Sequence, residues 1–244
     1  MARATGIAVW TRIAAQLRED IASGAIVPGG RLPPEAALAS RFAVNRHTVR
    51  RALEDLARDR LIRIEHGRGS FVAEPVLDYQ INLRPRFSEW VRRHNREPFG
   101  DKLSLRMIDP ADLPECTIIR EVLGLAAGEP VLELLRRGTA DARPLSLSRH
   151  IFPARLEGLH AALLNHATIT AALAQIGIAD YLRLRSRITC RMPTPRECAL
   201  LELERDAPVL HCENVNVTAA NTPLELCFAI YPSHRVALIV EPTA

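Results

Sequence analysis

Apolar positions recur at helical spacing over the first sixty residues and at strand spacing through much of the remainder. Trp10, Ile13, Leu17 and Ile21, with Ala14 alongside, make one helical stripe, and Gly24 stops it. Pro28-Gly29-Gly30 marks a turn, and a second helix opens at Pro33-Pro34-Glu35 with Leu38, Ala39 and Phe42 as its apolar set. A break at Ala43-Val44 leads to Asn45, a good N-cap, and to a third helix from Arg46 to about Asp59. Its buried stripe is Val49, Leu53, Leu56 and Ala57. Two β-prone runs, Leu61–Ile64 and Ser70–Val72, flank Glu65-His66-Gly67-Arg68-Gly69 and predict a hairpin.

From about residue 103 the pattern mixes strands and helices. Strands are predicted at Leu103–Ile108, Val131–Arg137, Leu145–Phe152, Leu182–Cys190, Val209–Thr218, Leu224–Tyr231 and Val236–Val240. Helices fit Ile118–Leu123, Leu159–Leu164, Ile169–Ile176 and Pro195–Leu201, and Ala219–Pro223 reads as a hairpin turn. Hairpin-joined strands with helices in only some connections predict an antiparallel α+β sheet. Between the two patterns, Pro75, Pro85 and Pro98 alternate with Arg84, Arg86, Arg92, Arg93 and Arg96. That stretch reads as a linker, with a short helix near Ser88–His94. The expected organisation is residues 1–73, a linker at 74–87, and a second domain at 88–244.

Charge sharpens the first segment. Residues 1–72 carry 12 arginines and seven acids, a net +5, whereas the other 172 residues carry a net −1. Segregation of this kind implies an anionic partner for the N-terminal block. Two short helices, the second beginning with basic and hydrogen-bonding residues, followed by a glycine-tipped hairpin, describe a winged helix-turn-helix whose second helix enters the major groove.

The five cysteines are odd in number and form no C-x-x-C pair, which argues against a disulfide framework and a zinc site. Buried thiols in a reducing cytoplasm are the expectation. No apolar run approaches the roughly 20 residues of a membrane span, and residues 1–10 lack an export signal's apolar core. There is no nucleotide-binding glycine motif, nucleophile–base pair or cofactor motif, so neither an enzyme nor a cofactor is expected.

The run from Gly24 through Pro28-Gly-Gly-Arg-Leu-Pro-Pro-Glu-Ala-Ala-Leu-Ala39, then Val44-Asn-Arg-His-Thr-Val-Arg-Arg-Ala-Leu-Glu-Asp-Leu56, then Leu61-Ile62 and Gly67-Arg-Gly-Ser-Phe-Val72, resembles the GntR family of bacterial transcription regulators. Pro34, Asn45 and Arg60 depart from the usual residues, and Asn45 still caps. The resemblance implies that Arg46 and Arg50 read guanine edges. It places Arg31, Asn45, Thr48 and Arg51 on phosphates, and His66, Gly67, Arg68 and Gly69 of the wing at the backbone or minor groove. His47 falls at a variable reading position.

The later segment is similar to the effector (UTRA) domain of the HutC subgroup, a chorismate-lyase-like fold, through Ala140-Asp-Ala-Arg-Pro-Leu145, Ile151-Phe-Pro153, residues 156–176, and Pro208-Val-Leu210 with Asn221-Thr-Pro-Leu-Glu225. Arg185-Ser-Arg187, Arg191 and Arg196-Glu-Cys198 are similar to regulators of phosphonate operons. The implied protein is a cytoplasmic, homodimeric, ligand-responsive repressor that binds double-stranded operator DNA and a small anionic effector, a phosphonate or a phosphorylated metabolite. A sugar phosphate, a histidine-pathway metabolite and a fatty acid are the alternatives on the same scaffold, and an enzyme with a lyase-like second domain is the rival of another class.

An anionic effector needs cations and donors. Arg187 and Arg191 lie four apart on one strand face, and Arg185 shares it. Arg136 and Arg137 point to opposite faces, so at most one can serve. Glu225 is a lone acid in an apolar strand, there either to accept from a ligand amine or to pair with an arginine. His150, Tyr231 and Ser88 complete the candidates.

Overall fold

A computed structural model describes residues 8–65, 67–73, 76–81, 83, 98–140, 143–203 and 205–241. The chain divides into two compact units, Met1–Pro75 and Val76–Ala244.

In the first unit, helices α1 (Val9–Ala22), α2 (Glu35–Arg41) and α3 (Arg46–Arg58) precede a hairpin of β1 (Ile62–Glu65) and β2 (Gly69–Val72). The predicted stripes are the packed faces. Ile13 and Leu17, Leu38, and Val49, Leu53 and Leu56 close one core with Leu32, Ile62 and Val72. Each such burial contributes about 1.5–3 kcal/mol, which sustains a helix as short as α2, well below the roughly 12–15 residues at which isolated helices become marginal. Ala43, at φ 52°, makes the tight turn that lets α3 restart against α2. Arg18 of α1 pairs with Asp55 of α3 at 2.8 Å and also with Asp59, fixing the two helices side by side.

The second unit is built on six antiparallel strands in the order β4-β5-β6-β9-β8-β7. They are β4 (Pro98–Ile108), β5 (Val131–Ala140), β6 (Arg143–Pro153), β7 (Tyr181–Arg191), β8 (Val209–Thr218) and β9 (Pro223–Pro232). Central β9 is buried at every position but its first, as its near-continuous apolar sequence requires. Helices α5 (Leu159–Asn165) and α6 (Ile169–Gln175) cover one face through Leu132, Leu134 and Phe152. Helices α4 (Cys116–Leu123) and α7 (Pro195–Leu201) cover the opposite face, α4 over Ile151, Leu226 and Phe228, and α7 over Leu147, Val209 and Ile230.

Two features differ from the sequence expectation. The stretch read as a linker contains β3 (Leu77–Gln80), whose Leu77 and Tyr79 are buried. β3 pairs in parallel with β10 (Val236–Ile239), so the last strand forms a separate ribbon and does not extend the antiparallel sheet. Four residues flanked by proline and arginine are too short for alternation to stand out, and the partner lies at the far end of the chain. The ribbon packs on Cys212, Ala229 and Tyr231, on the same sheet face as Glu225. The short helix expected near Ser88–His94 lies outside the described residues.

Candidate nucleic-acid interface and ligand site

The N-terminus of α3 is set by Asn45. Its Oδ1 accepts from the Thr48 backbone N–H at 2.9 Å and from the Thr48 hydroxyl at 3.0 Å. A cap of this kind contributes about 1 kcal/mol and fixes the first helical turn. Arg46 and His47 stand on that turn, exposed and without an ion pair to any described residue. Arg50, one turn on, is held by Glu35 of α2 through paired contacts of 3.3 and 3.0 Å, and this contact raises the guanidinium pKa above its ordinary value. Arg51 lies over the Trp10 ring, 4.8 Å from its centroid.

At the wing, Gly67 takes φ +75° with open space where a side chain would stand. Gly69 takes φ +115°, and a Cβ there would lie 3.1 Å from Arg31 Nε. Arg31 therefore runs along the wing, where its backbone also bridges Phe71. Arg68 pairs with Glu65 at 3.1 Å. His66 lies outside the described residues. The unit thus brings Arg46, His47, Arg50 and Arg51 to exposed positions on the first half of α3, and an exposed Arg31 alongside the hairpin.

In the second unit, strand register sorts the predicted effector residues by face. His150 stands opposite Cys227, and Asn216 opposite Glu225. His150 Nδ1 contacts one oxygen of Glu225, and Nε2 contacts Ser148 Oγ at 2.8 Å. Asn216 Nδ2 donates to the other Glu225 oxygen. Arg183 Nε donates to Asn216 Oδ1 at 2.6 Å, and its Nη1 donates to Asn214 at 2.7 Å and Ser186 at 3.1 Å. These residues form a continuous polar row, Arg183–Asn216–Glu225–His150–Ser148, across the middle of the sheet.

Burial alone would lower the His150 pKa, but Cys227 and Glu225 outweigh it and raise it to about 10. Burial pushes the Glu225 carboxyl up, yet the His150 charge, its hydrogen bond and that from Asn216 hold it below its usual range. At neutral pH the pair is therefore ionic, with both imidazole N–H groups donating.

Arg136 shares this face, since it registers with Ser148. Its guanidinium donates to the Ala167 carbonyl at 3.0 Å, its Nε is buried without a partner among the described residues, and burial lowers its pKa. Arg137 points the other way and pairs with Asp101 at 2.7 Å. Tyr231 also shares the His150 face; it lies 5.5 Å from the Tyr79 ring, and burial pushes its hydroxyl pKa well up.

Arg187 and Arg191 do share a face, but it is the one opposite His150 and Glu225. Arg187 registers with Glu213 and pairs with it at 2.7 Å, and Arg191 is held by Glu197 of α7 at 2.7 and 2.8 Å. Arg185 lies on that side too, registered with Val215. A register shift between Arg183 and Arg185 puts Arg183 on the other side, where alternation along the strand does not place it. Ser88 lies outside the described residues. Arg183, Asn214, Asn216 and Ser148 were missed by the sequence reading, because each is an ordinary polar residue until cross-strand register joins them.

A basic winged helix in one unit, followed in the chain by a unit with an antiparallel sheet and a buried polar row, marks the class of two-domain DNA-binding regulators. The sequence pattern described as "Bacterial regulatory proteins, gntR family" matches residues 10–72, and that of the UTRA domain matches residues 100–237. The chain belongs to the GntR family of transcriptional regulators, in the branch that carries a UTRA domain. It is 34% identical over 241 residues to the uncharacterized HTH-type transcriptional regulator RB1450 of Rhizobium meliloti, covering 98% of this chain and 97% of that one. It is 28% identical over 209 residues to the HTH-type transcriptional repressor PhnF of Mycolicibacterium smegmatis, covering 85% and 82% of the two chains. The crystal structure of PhnF from Mycobacterium smegmatis has the same fold, with a TM-score of 0.64 at 24% identity over 95% of this chain and 99% of that one. No helix among the described residues is long and apolar enough to cross a membrane.

Proposed function

We propose that this regulator is a homodimeric, cytoplasmic repressor whose operator affinity is set by a small anionic effector of the phosphonate class, bound on the α5/α6 face of the second unit. The observation that carries the reading is the polar row from Arg183 to Ser148, with Arg136 beside it, on a face otherwise packed with leucine, phenylalanine and tyrosine. Buried polar groups cost stability unless fully paired, and Arg136 Nε has no partner among the described residues. An effector oxygen would satisfy it. His150 and Glu225 serve as the polar pair that orients the ligand, and Tyr231 serves as an apolar wall. Arg187, Arg191 and Arg137 have no part in this site.

In the first unit, Arg46 and Arg50 read base edges, His47 faces the groove, and Arg31, Asn45, Thr48 and Arg51 position phosphates, with Gly67, Arg68, Gly69 and His66 at the wing. Two copies read a pseudo-palindromic operator, because two-fold protein symmetry imposes half-site symmetry. The effector shifts operator affinity only by its differential affinity for the states of the dimer.

Fluorescence anisotropy on DNA from the gene's own upstream region tests both halves. Binding is expected to weaken steeply with salt. Arg50→Ala is expected to lower affinity about tenfold or more and relax specificity at one base pair. An aminoalkylphosphonate is expected to raise the unfolding temperature and change operator affinity, and sugar phosphates are not. A response to the sugar phosphate alone would replace the effector class, and salt-insensitive or absent DNA binding would sink the reading.

A further inference from the structure

At the centre of the polar row three side chains of different chemistry converge. His150 of β6 and Cys227 of β9 are cross-strand partners, and Glu225 lies two residues from Cys227 on the same face. One imidazole nitrogen, the Cys227 sulfur and one Glu225 oxygen all lie within 4.8 Å of one another. Cys227 and Glu225 are 5% and 2% exposed, and the His150 side chain is 15% exposed. We propose that His150, Glu225 and Cys227 form a binding site for a divalent transition-metal ion of the zinc class.

Three lines of chemistry support this site. The ligand set of one imidazole, one thiolate and one carboxylate suits a borderline-soft cation, and it disfavours magnesium and calcium, which take oxygen shells. Its charge also balances: a neutral imidazole, a thiolate and a carboxylate around a divalent ion leave no net charge in a buried place. Finally, the outer atoms are already held while the inner ones converge. Ser148 engages the far imidazole nitrogen and Asn216 engages the far carboxylate oxygen, which is the outer-shell support that metal ligands require. With metal–ligand bonds of about 2.0–2.3 Å, tetrahedral ligand atoms sit roughly 3.3–3.6 Å apart. Reaching that spacing asks His150 Nδ1 and Glu225 to part from their direct contact and the Cys227 sulfur to stay within the 4.8 Å cluster, a side-chain adjustment. The three protein ligands leave a fourth position for water or for an effector atom.

Binding displaces the imidazole proton and the thiol proton, and the ion takes over the neutralisation of Glu225 that His150 otherwise provides. Cysteine spacing along the chain could not reveal such a site, since its ligands come from two strands 75 residues apart in sequence.

This site shares His150 and Glu225 with the proposed effector face, so its test uses neither DNA nor effector. Full-length, tag-free protein is stripped with a chelator and titrated with Co²⁺, followed by near-ultraviolet thiolate-to-cobalt charge transfer, and with Zn²⁺ by calorimetry. One equivalent is expected to bind with the charge-transfer band. Cys227→Ser is expected to abolish the band and weaken Zn²⁺ at least tenfold, whereas Cys116→Ser and Cys190→Ser leave both unchanged. Asn216→Ala keeps all three ligands and is expected to weaken the metal about tenfold or more, which guards against misfolding of the cysteine variant. Absence of a one-equivalent site in the parent protein, or an undiminished band in folded Cys227→Ser, would overturn the proposal. Neither result would touch operator binding or its response to a phosphonate.

Discussion

Glu225→Gln removes one charge at the centre of the polar row and almost nothing else. The amide keeps the carboxylate's volume and can still accept from Asn216, but the negative charge facing His150 is gone. Glu225 is 2% exposed, so water cannot replace it. Removing one partner from a buried pair costs about 3–5 kcal/mol, and that is the expected loss at neutral pH. The pH dependence has a definite sign. Burial would lower the His150 pKa, but Cys227 and Glu225 raise it from 6.5 to about 10. Its contribution is therefore complete below pH 6.5 and fades as pH rises through the folded value. Burial would raise the Glu225 pKa, but His150 and Asn216 hold it below 4.5, so its contribution is complete above 4.5 and fades on acidification. The pair is thus strongest between those limits and weakens on the alkaline side. All three tyrosines, Tyr79, Tyr181 and Tyr231, are buried in the second unit. Urea unfolding in a chelating buffer, followed by their near-ultraviolet circular dichroism, reports on that unit. The parent protein is expected to lose stability from pH 6.5 to 9.5, and the variant to be flatter. A cost below about 1 kcal/mol, or equal pH slopes, would refute the buried ion pair.

Three further outcomes follow from the same geometry. Asn45→Ala is expected to cost the first unit about 1 kcal/mol in thermal unfolding, and to weaken operator binding through a frayed α3 start. Gly69→Ala forces a β-carbon into φ +115° and against Arg31, so operator affinity measured by gel shift should fall while helix content is retained. Arg187→Ala should leave effector binding unchanged by calorimetry and lower stability by about 1 kcal/mol or less, since Arg187 is exposed although its partner Glu213 is only 15% exposed.

The first unit was legible in the sequence nearly residue by residue, because its determinants are local. A helical stripe, a capping asparagine and glycines at a turn each act within a few positions. Strands β5 to β9 were legible for a similar reason, since alternation or, in β9, a near-continuous apolar run marks them. What escaped was relational. Alternation correctly joined Arg185, Arg187 and Arg191 on one face, but nothing in a strand's own sequence says what covers that face. Here α4 and α7 cover it, and Glu213 and Glu197 take up Arg187 and Arg191. The same limit hid Arg183, which a register shift turns toward Asn216. Arg136 and Arg137 could be assigned to opposite faces from spacing, but only the pairing with Ser148 identifies Arg136 as the one beside His150.

The pairing of β3 with β10 bears on how the polypeptide matures during synthesis. The winged helix closes on contacts made entirely before Val76, so it can fold while the second unit is still incomplete. The ribbon that shelters Tyr79 joins the opening strand of the second unit to a strand some 160 residues further along the chain. Until Val236 has been synthesised, Leu77 and Tyr79 have no finished resting place, and a nascent chain stalled short of it would present them to chaperones or proteases on a polypeptide whose DNA reader has already folded.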